Sequence, residues 1–176
     1  MKGSYDPAWN FDQVYQDTFP ILFKILSKML GDSEVAEEIC HEAFIKLYER
    51  GDGIPTGEEA KYWLIRVAKN LALNHEKRRG REKQAYHKAL HEPMKPSESG
   101  ESEYLKKESS LLVREALKKL PAKLREVLIL KEYGDLSYRE IASILKISEG
   151  NVKVRVYRAR ERLEDFFRDS GGIYVP

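Results

Sequence analysis

Two sets of side chains in this sequence have the types and spacing of a nucleic-acid reader. Lys153, Val154, Tyr157 and Arg158, flanked by Arg155, Arg160 and Arg162, fall in a segment where Val152, Val156, Ala159, Leu163 and Phe166 recur at alternating spacings of four and three. That recurrence makes one apolar helical stripe, which must pack inward and leaves the cationic side free. Cations suit phosphates and planar donors suit base edges, the two needs of a helix seated in a major groove. Asn70 and Asn74 form the second set. They lie one turn apart, so both amides share a helix side, and each offers a donor and an acceptor together, which suits a base edge better than a phosphate. Arg66 and Lys69 accompany them, and Lys77 and Arg78 open a basic tail suited to phosphates.

Other chemistry finds less support. Glu38 and His41 have the i, i+3 spacing of di-iron helices, but such a site needs a second pair, and no other Glu-x-x-His occurs. The single cysteine, Cys40, excludes an internal disulfide and a cysteine-based zinc site. The sequence shows no glycine-rich phosphate loop, no carboxylate pair in an evident cleft and no nucleophile beside a base. The expectation is therefore a protein that is not an enzyme and uses no metal or cofactor.

The elements that must position the two readers are all helical. Ser137 and Glu140 form a capping box ahead of Ile141, Ile144 and Leu145, and Ser148 restarts a helix after a tight turn. Capped helix, short turn and basic helix together build a helix-turn-helix. Further back, Phe11, Tyr15, Thr18, Leu22, Ile25 and Met29 define a stripe opened by Asp6 and Pro7, kinked at Pro20 and stopped by Gly31. A second helix, capped by Asp32 or Ser33, turns Ala36, Ile39, Ala43, Phe44 and Leu47 inward and Glu37, Glu38, His41 and Glu42 outward. Residues 50–59 are rich in turn formers and read as a loop. From Glu59 to about Arg79 a third helix turns Leu64, Val67, Ala68 and Leu71 inward. Gln84 to Tyr104, with its prolines, serines and glutamates, cannot bury a core and reads as a tether. The apolar period resumes with Leu112, Ala116 and Leu120, breaks at Pro121, and continues through Leu124, Val127 and Leu128 to Gly134.

The fold expected is all-α: two small helical domains, residues 8–83 and 106–170, joined by a flexible acidic linker over 84–105, the C-terminal domain a helix-turn-helix. Composition agrees, with 176 residues, 34% charged, 41% hydrophobic and a formal net charge of +2. Charge is segregated locally, basic at 77–83 and 153–162 and acidic at 34–42 and 98–103, which predicts separate partners for separate faces. No apolar run is long enough to span a membrane, and the N-terminus lacks a signal-peptide core, so a cytoplasmic protein is expected.

LSYREIASILKISEGNVKVRVYRARERL resembles region 4 of bacterial RNA polymerase sigma factors of the extracytoplasmic-function class. AEEICHEAFIKLY and YWLIRVAKNLALNHEKRR are similar to region 2 of the same class. The resemblance implies an alternative transcription initiation factor. Glu37, Glu38, His41 and Glu42 would dock on the clamp helices of the largest subunit of core RNA polymerase. The first helices of region 4 would touch the flap of the second-largest subunit. Promoter DNA would be read at its −10 element by Arg66, Lys69, Asn70, Asn74, Lys77 and Arg78, with Ile54, Thr56, Gly57 and Glu58 lining a pocket for a flipped base. The −35 element would be read by Lys153, Val154, Arg155, Tyr157, Arg158 and Arg160, although Asn151 and Val154 depart from the usual run. An anti-sigma factor is the further partner implied. The alternative is a stand-alone helix-turn-helix regulator that binds duplex DNA without polymerase.

Overall fold

The structure, a computed structural model, describes residues 10–50, 57–90 and 106–169. Within them the chain forms seven helices: α1 Phe11–Leu30, α2 Ser33–Arg50, α3 Gly57–Leu90, α4 Lys106–Lys119, α5 Ala122–Tyr133, α6 Tyr138–Leu145 and α7 Glu149–Asp169. Asn10 caps α1 by accepting from the Gln13 N–H at 3.2 Å. Asp6 and Pro7, expected to open this helix, lie outside the described residues. Pro20 sits inside α1 without ending it. It and Gln16, whose carbonyl it leaves without an amide partner, are both exposed, so water can serve that carbonyl. Gly31 stops the helix in the left-handed region, φ 65°, with its N–H on the Ser27 carbonyl. Of the two candidate caps for α2, Asp32 takes the role: its Oδ1 accepts from the N–H groups of Glu34 and Val35.

Two expectations need correction. α3 begins at Gly57 and runs to Leu90, so residues 84–90, assigned to the tether, are helical. Residues 79–90 contain no proline and only one glycine, are dominated by Ala, Arg, Lys, Glu and Gln, and follow an Arg78–Glu82 ion pair one turn apart. The breakers that define the tether begin only at Pro93. In α4, Leu112 is 40% exposed; among its described side chains Ala116 and Leu117 are buried, as is Leu120 just beyond its end.

α1, α2 and α3 pack mutually into an N-terminal unit, while α7 packs on α4, α5 and α6. The units also meet each other, α1 against α5 and α3 against α6, and one buried apolar cluster runs through both, from Val14 to Ala159. Approach is close at Gly134, where an added Cβ would lie 3.1 Å from Ile25 Cδ1 of α1. Lys28 and Lys24 of α1 lie over the Tyr133 ring at 5.1 and 6.0 Å.

Cys40 is fully buried in the N-terminal unit. Burial first, and the charge of Glu37 second, push its thiol up from 9.0 to about 12. The fold therefore favours the neutral thiol, a contribution that is complete below pH 9.0 and fades as pH rises toward 12. A thiol reagent at about pH 8 should leave Cys40 unlabelled until the chain unfolds. Labelling of the folded protein at the rate of a free thiol would contradict this environment.

Candidate nucleic-acid interface

The C-terminal reader is built on a braced turn. The Glu140 carboxylate accepts the Ser137 N–H at 2.6 Å and the Ser137 hydroxyl accepts the Glu140 N–H at 3.2 Å, the expected capping box. Lys146 turns the chain in the left-handed region, φ 54°, and Ser148 Oγ accepts the Asn151 N–H at 3.2 Å to start α7. With Val152, Val156 and Ala159 buried, the opposite side presents Val154 and Tyr157, 47% and 64% exposed, and Arg158. Lys153 stands at its edge, paired with Glu149 at 3.0 Å. A hydrogen bond from the Tyr157 hydroxyl to Glu161 is the main reason that phenol is held above its ordinary pKa. Arg155 is half-buried beside the apolar stripe. Arg160 reaches Glu132 of α5 at 2.6 Å, so it braces α7 from the flank. The outward set is thus Lys153, Val154, Tyr157 and Arg158.

The α3 reader is divided. Asn70, Asn74, Lys77 and Arg78 are exposed. Arg66 instead donates to the Ile144 and Ser143 carbonyls, both at 3.3 Å, at the C-terminal end of α6. A guanidinium there meets carbonyls that the helix leaves without partners and the negative end of its dipole. Lys69 pairs with Glu126 of α5 at 3.0 Å, both side chains less than a fifth exposed. One turn before Arg66, the Tyr62 hydroxyl donates to the Glu140 carboxylate at 2.7 Å. Gly57 and Glu58 are exposed at the start of α3 and line a groove of about 380 Å³ with Asn10, Gln13 and Asp17 of the α1 side. Ile54 and Thr56 lie outside the described residues.

On α2 the four expected docking residues, Glu37, Glu38, His41 and Glu42, are all exposed. His41 is steadied from α1, its ring 5.4 Å from Phe19 and its Nε2 3.5 Å from the Tyr15 hydroxyl. Glu42 pairs with Lys46 at 3.5 Å. The sequence reading overlooked Ile45 and Tyr48, which are 57% and 70% exposed. The spacing held the signal, since 38, 41, 45 and 48 recur by three and four and share one helix side. Tyr62, Glu126 and Glu140 were also overlooked as contact residues. Their partners lie more than fifty residues away, and no local pattern reports that.

The chain is similar to known proteins over most of its length. Residues 8–82 match the family described as Sigma-70 region 2, and residues 110–163 the family described as Sigma-70, region 4. The RNA polymerase sigma-H factor of Pseudomonas aeruginosa is 35% identical over 150 residues, covering 80% of this chain and 77% of the relative. The ECF RNA polymerase sigma factor SigW of Bacillus subtilis is 31% identical over 180 residues, covering 96% and 92%. Among solved structures, the sigma factor RpoE of Bartonella quintana, determined in complex with the anti-sigma factor NepR, superposes with a TM-score of 0.69 at 25% identity, covering 90% of this chain and 96% of that one.

The Tyr62–Glu140 bond carries a pH signature. Burial favours the neutral acid of Glu140, but the bonds from Ser137 and Tyr62 outweigh it and hold the carboxyl below 4.5. The same bond, aided by burial, pushes the Tyr62 phenol up from 10.0 to about 12. A lowered carboxyl stabilises the fold above its unfolded pKa, and that contribution is lost as pH falls through the folded value. Tyr62→Phe should therefore cost about 1–2 kcal/mol in denaturant titrations at about pH 7 and less at a pH below the folded pKa of Glu140. An equal cost at both would show that the partner is not the carboxylate.

Proposed function

The chain belongs to the sigma-70 family, in its extracytoplasmic-function class, and from that premise we propose how its surfaces divide the work of promoter selection. As an alternative initiation factor it binds core RNA polymerase and directs it to promoters. In our reading α2 docks on the largest-subunit clamp helices through Glu37, Glu38, His41 and Glu42, with Ile45 and Tyr48 adding apolar area in line with them. The opening helices of the C-terminal unit meet the flap of the second-largest subunit. Asn70 and Asn74 read base edges of the −10 element, Lys77 and Arg78 hold its phosphates, and Gly57 and Glu58 with Ile54 and Thr56 border the flipped base. Val154, Tyr157 and Arg158 read the −35 element from α7, supported by Lys153. It works as a factor and not as an enzyme, in the cytoplasm beside core polymerase, and is held in check by an anti-sigma partner, the kind of assembly in which its Bartonella relative was solved.

One observation carries this reading. The chain presents two exposed recognition sides, Asn70 with Asn74 and Tyr157 with Arg158, on separate helix groups, plus a third acidic side on α2. A stand-alone regulator needs only the second. That rival requires tight operator binding without polymerase, whereas the sigma reading requires weak binding to duplex alone and specific initiation once core is added. Mixing the chain with core enzyme and genomic DNA and mapping transcript starts separates them; operator binding at full strength without core would favour the regulator.

Two substitutions should act at different boxes. Asn70→Ala is expected to lower discrimination among −10 sequences by about 1–3 kcal/mol, measured as initiation from promoters altered one base at a time. Unchanged selectivity removes Asn70 from the reader. Arg158→Ala should relax selection at the −35 element alone, and an effect seen only at the −10 element would reject its assignment.

A further inference from the structure

Of the outward set on α7, only Tyr157 can serve a base edge either as donor or as acceptor. Lys153 and Arg158 can only donate, Val154 can do neither, and a phenol carries one hydrogen and two lone pairs. A hydroxyl with no fixed partner turns to suit either kind of edge, as serine and threonine do, and so carries no preference among bases. The Tyr157 hydroxyl has a fixed partner: it donates to the carboxylate of Glu161, one turn further along the helix. Helix geometry sets this bond up. Residues four apart share one side, and helical side chains lean toward the N-terminus, so a glutamate at 161 lies back over the turn that carries Tyr157. Both side chains are exposed, and Glu161 borders the same open recess of the α7 surface as Arg158. The carboxylate thus belongs to the side that α7 turns outward, not to its packing. Glu164, also exposed, acts on the same phenol through its charge alone. A carboxylate beside a surface that approaches phosphates opposes binding by its charge, which leaves orientation as the use of Glu161.

We propose that Glu161 is a specificity-determining positioning residue: by taking the hydrogen of the Tyr157 hydroxyl it leaves only lone pairs facing the groove, so the −35 position met by Tyr157 is read as a base with an amino donor, adenine or cytosine. The inference rests on the assignment of Tyr157 to the −35 reader. In the major groove adenine offers its N6 amino group and cytosine its N4 amino group, whereas guanine O6 and N7 and thymine O4 are acceptors. An acceptor presented to guanine or thymine meets lone pairs with lone pairs, and the carboxylate holds the hydrogen that would relieve the conflict. Arg158, with donors only, suits the opposite kind of edge one residue away. The two neighbours thereby divide the base edges between them.

The test uses holoenzyme reconstituted with core RNA polymerase and promoters in which each −35 position carries each base in turn, the −10 element being held constant. In the parent, the position at which Tyr157→Phe abolishes preference should favour adenine or cytosine over guanine and thymine by about three- to tenfold. Glu161→Ala should remove that preference and leave the other positions as they are. Combined with Tyr157→Phe it should add nothing at that position, since it acts through the hydroxyl. Glu164→Gln removes a like charge without touching the bond, so it should strengthen binding to every sequence alike and keep the preference. A parent preference for guanine or thymine there, a preference that survives Glu161→Ala, or one relaxed equally by Glu164→Gln each overturns the proposal. If Tyr157→Phe changes no −35 preference, the assignment of Tyr157 has failed and the proposal with it; if it does and Glu161→Ala does not, only the role of Glu161 is lost.

Discussion

The contact of α3 with α5 and α6 decides which side chains of this molecule are available. Apolar packing carries the two units through one cluster, but polar selection at the seam is made by Tyr62, Arg66 and Lys69, set three and four residues apart along α3. Each finds a partner on the C-terminal unit: a carboxylate acceptor, two carbonyls at a helix end and a second carboxylate in an ion pair. Asn70 is the next residue along, and it is outside the seam. The packing of α3 thus separates an exposed amide from a brace one residue before it.

The Lys69–Glu126 pair shows what such a seam is for. Both side chains are largely withdrawn from water, and withdrawing two charges costs about as much as their attraction returns. Net stability is therefore a poor explanation for the pair, whereas orientation is a good one: apolar surfaces slide, and a buried ion pair accepts few registers. Arg66 adds direction, since its fork meets two carbonyls at the end of α6. The C-terminal unit is held by geometry as well as by area.

What could be read from the sequence was what repeats locally. The Ser137–Glu140 box, the Gly31 stop, the buried stripes of α2 and α7 and the exposure of Asn70 and Asn74 follow from spacings within one or two turns, and the structure has them. Two kinds of feature escaped. The end of α3 lies later than the composition suggests, because the prolines and serines of 93–103 do not weaken the helix-forming residues before them. The Arg160–Glu132 pair between α7 and α5 also left no sign, because a cationic residue type says nothing about its distant partner. Long-range pairing leaves no local trace.

The divided state of α3 has a thermodynamic consequence. A guanidinium that donates to the Ser143 and Ile144 carbonyls is not at the same time free for a phosphate, and Lys69 cannot give its charge both to Glu126 and to DNA. Binding at Asn70 needs no such release, but binding that recruits Arg66 or Lys69 must first break the seam. Two ligations that compete for the same atoms are coupled, and the coupling is reciprocal. In the proposed function, drawing the C-terminal unit away would strengthen the grip of α3 on DNA, and DNA engaged by Arg66 and Lys69 would free the C-terminal unit to the same extent. A pair of modest polar contacts can therefore link α3 and the C-terminal unit energetically, in addition to the apolar packing that they share.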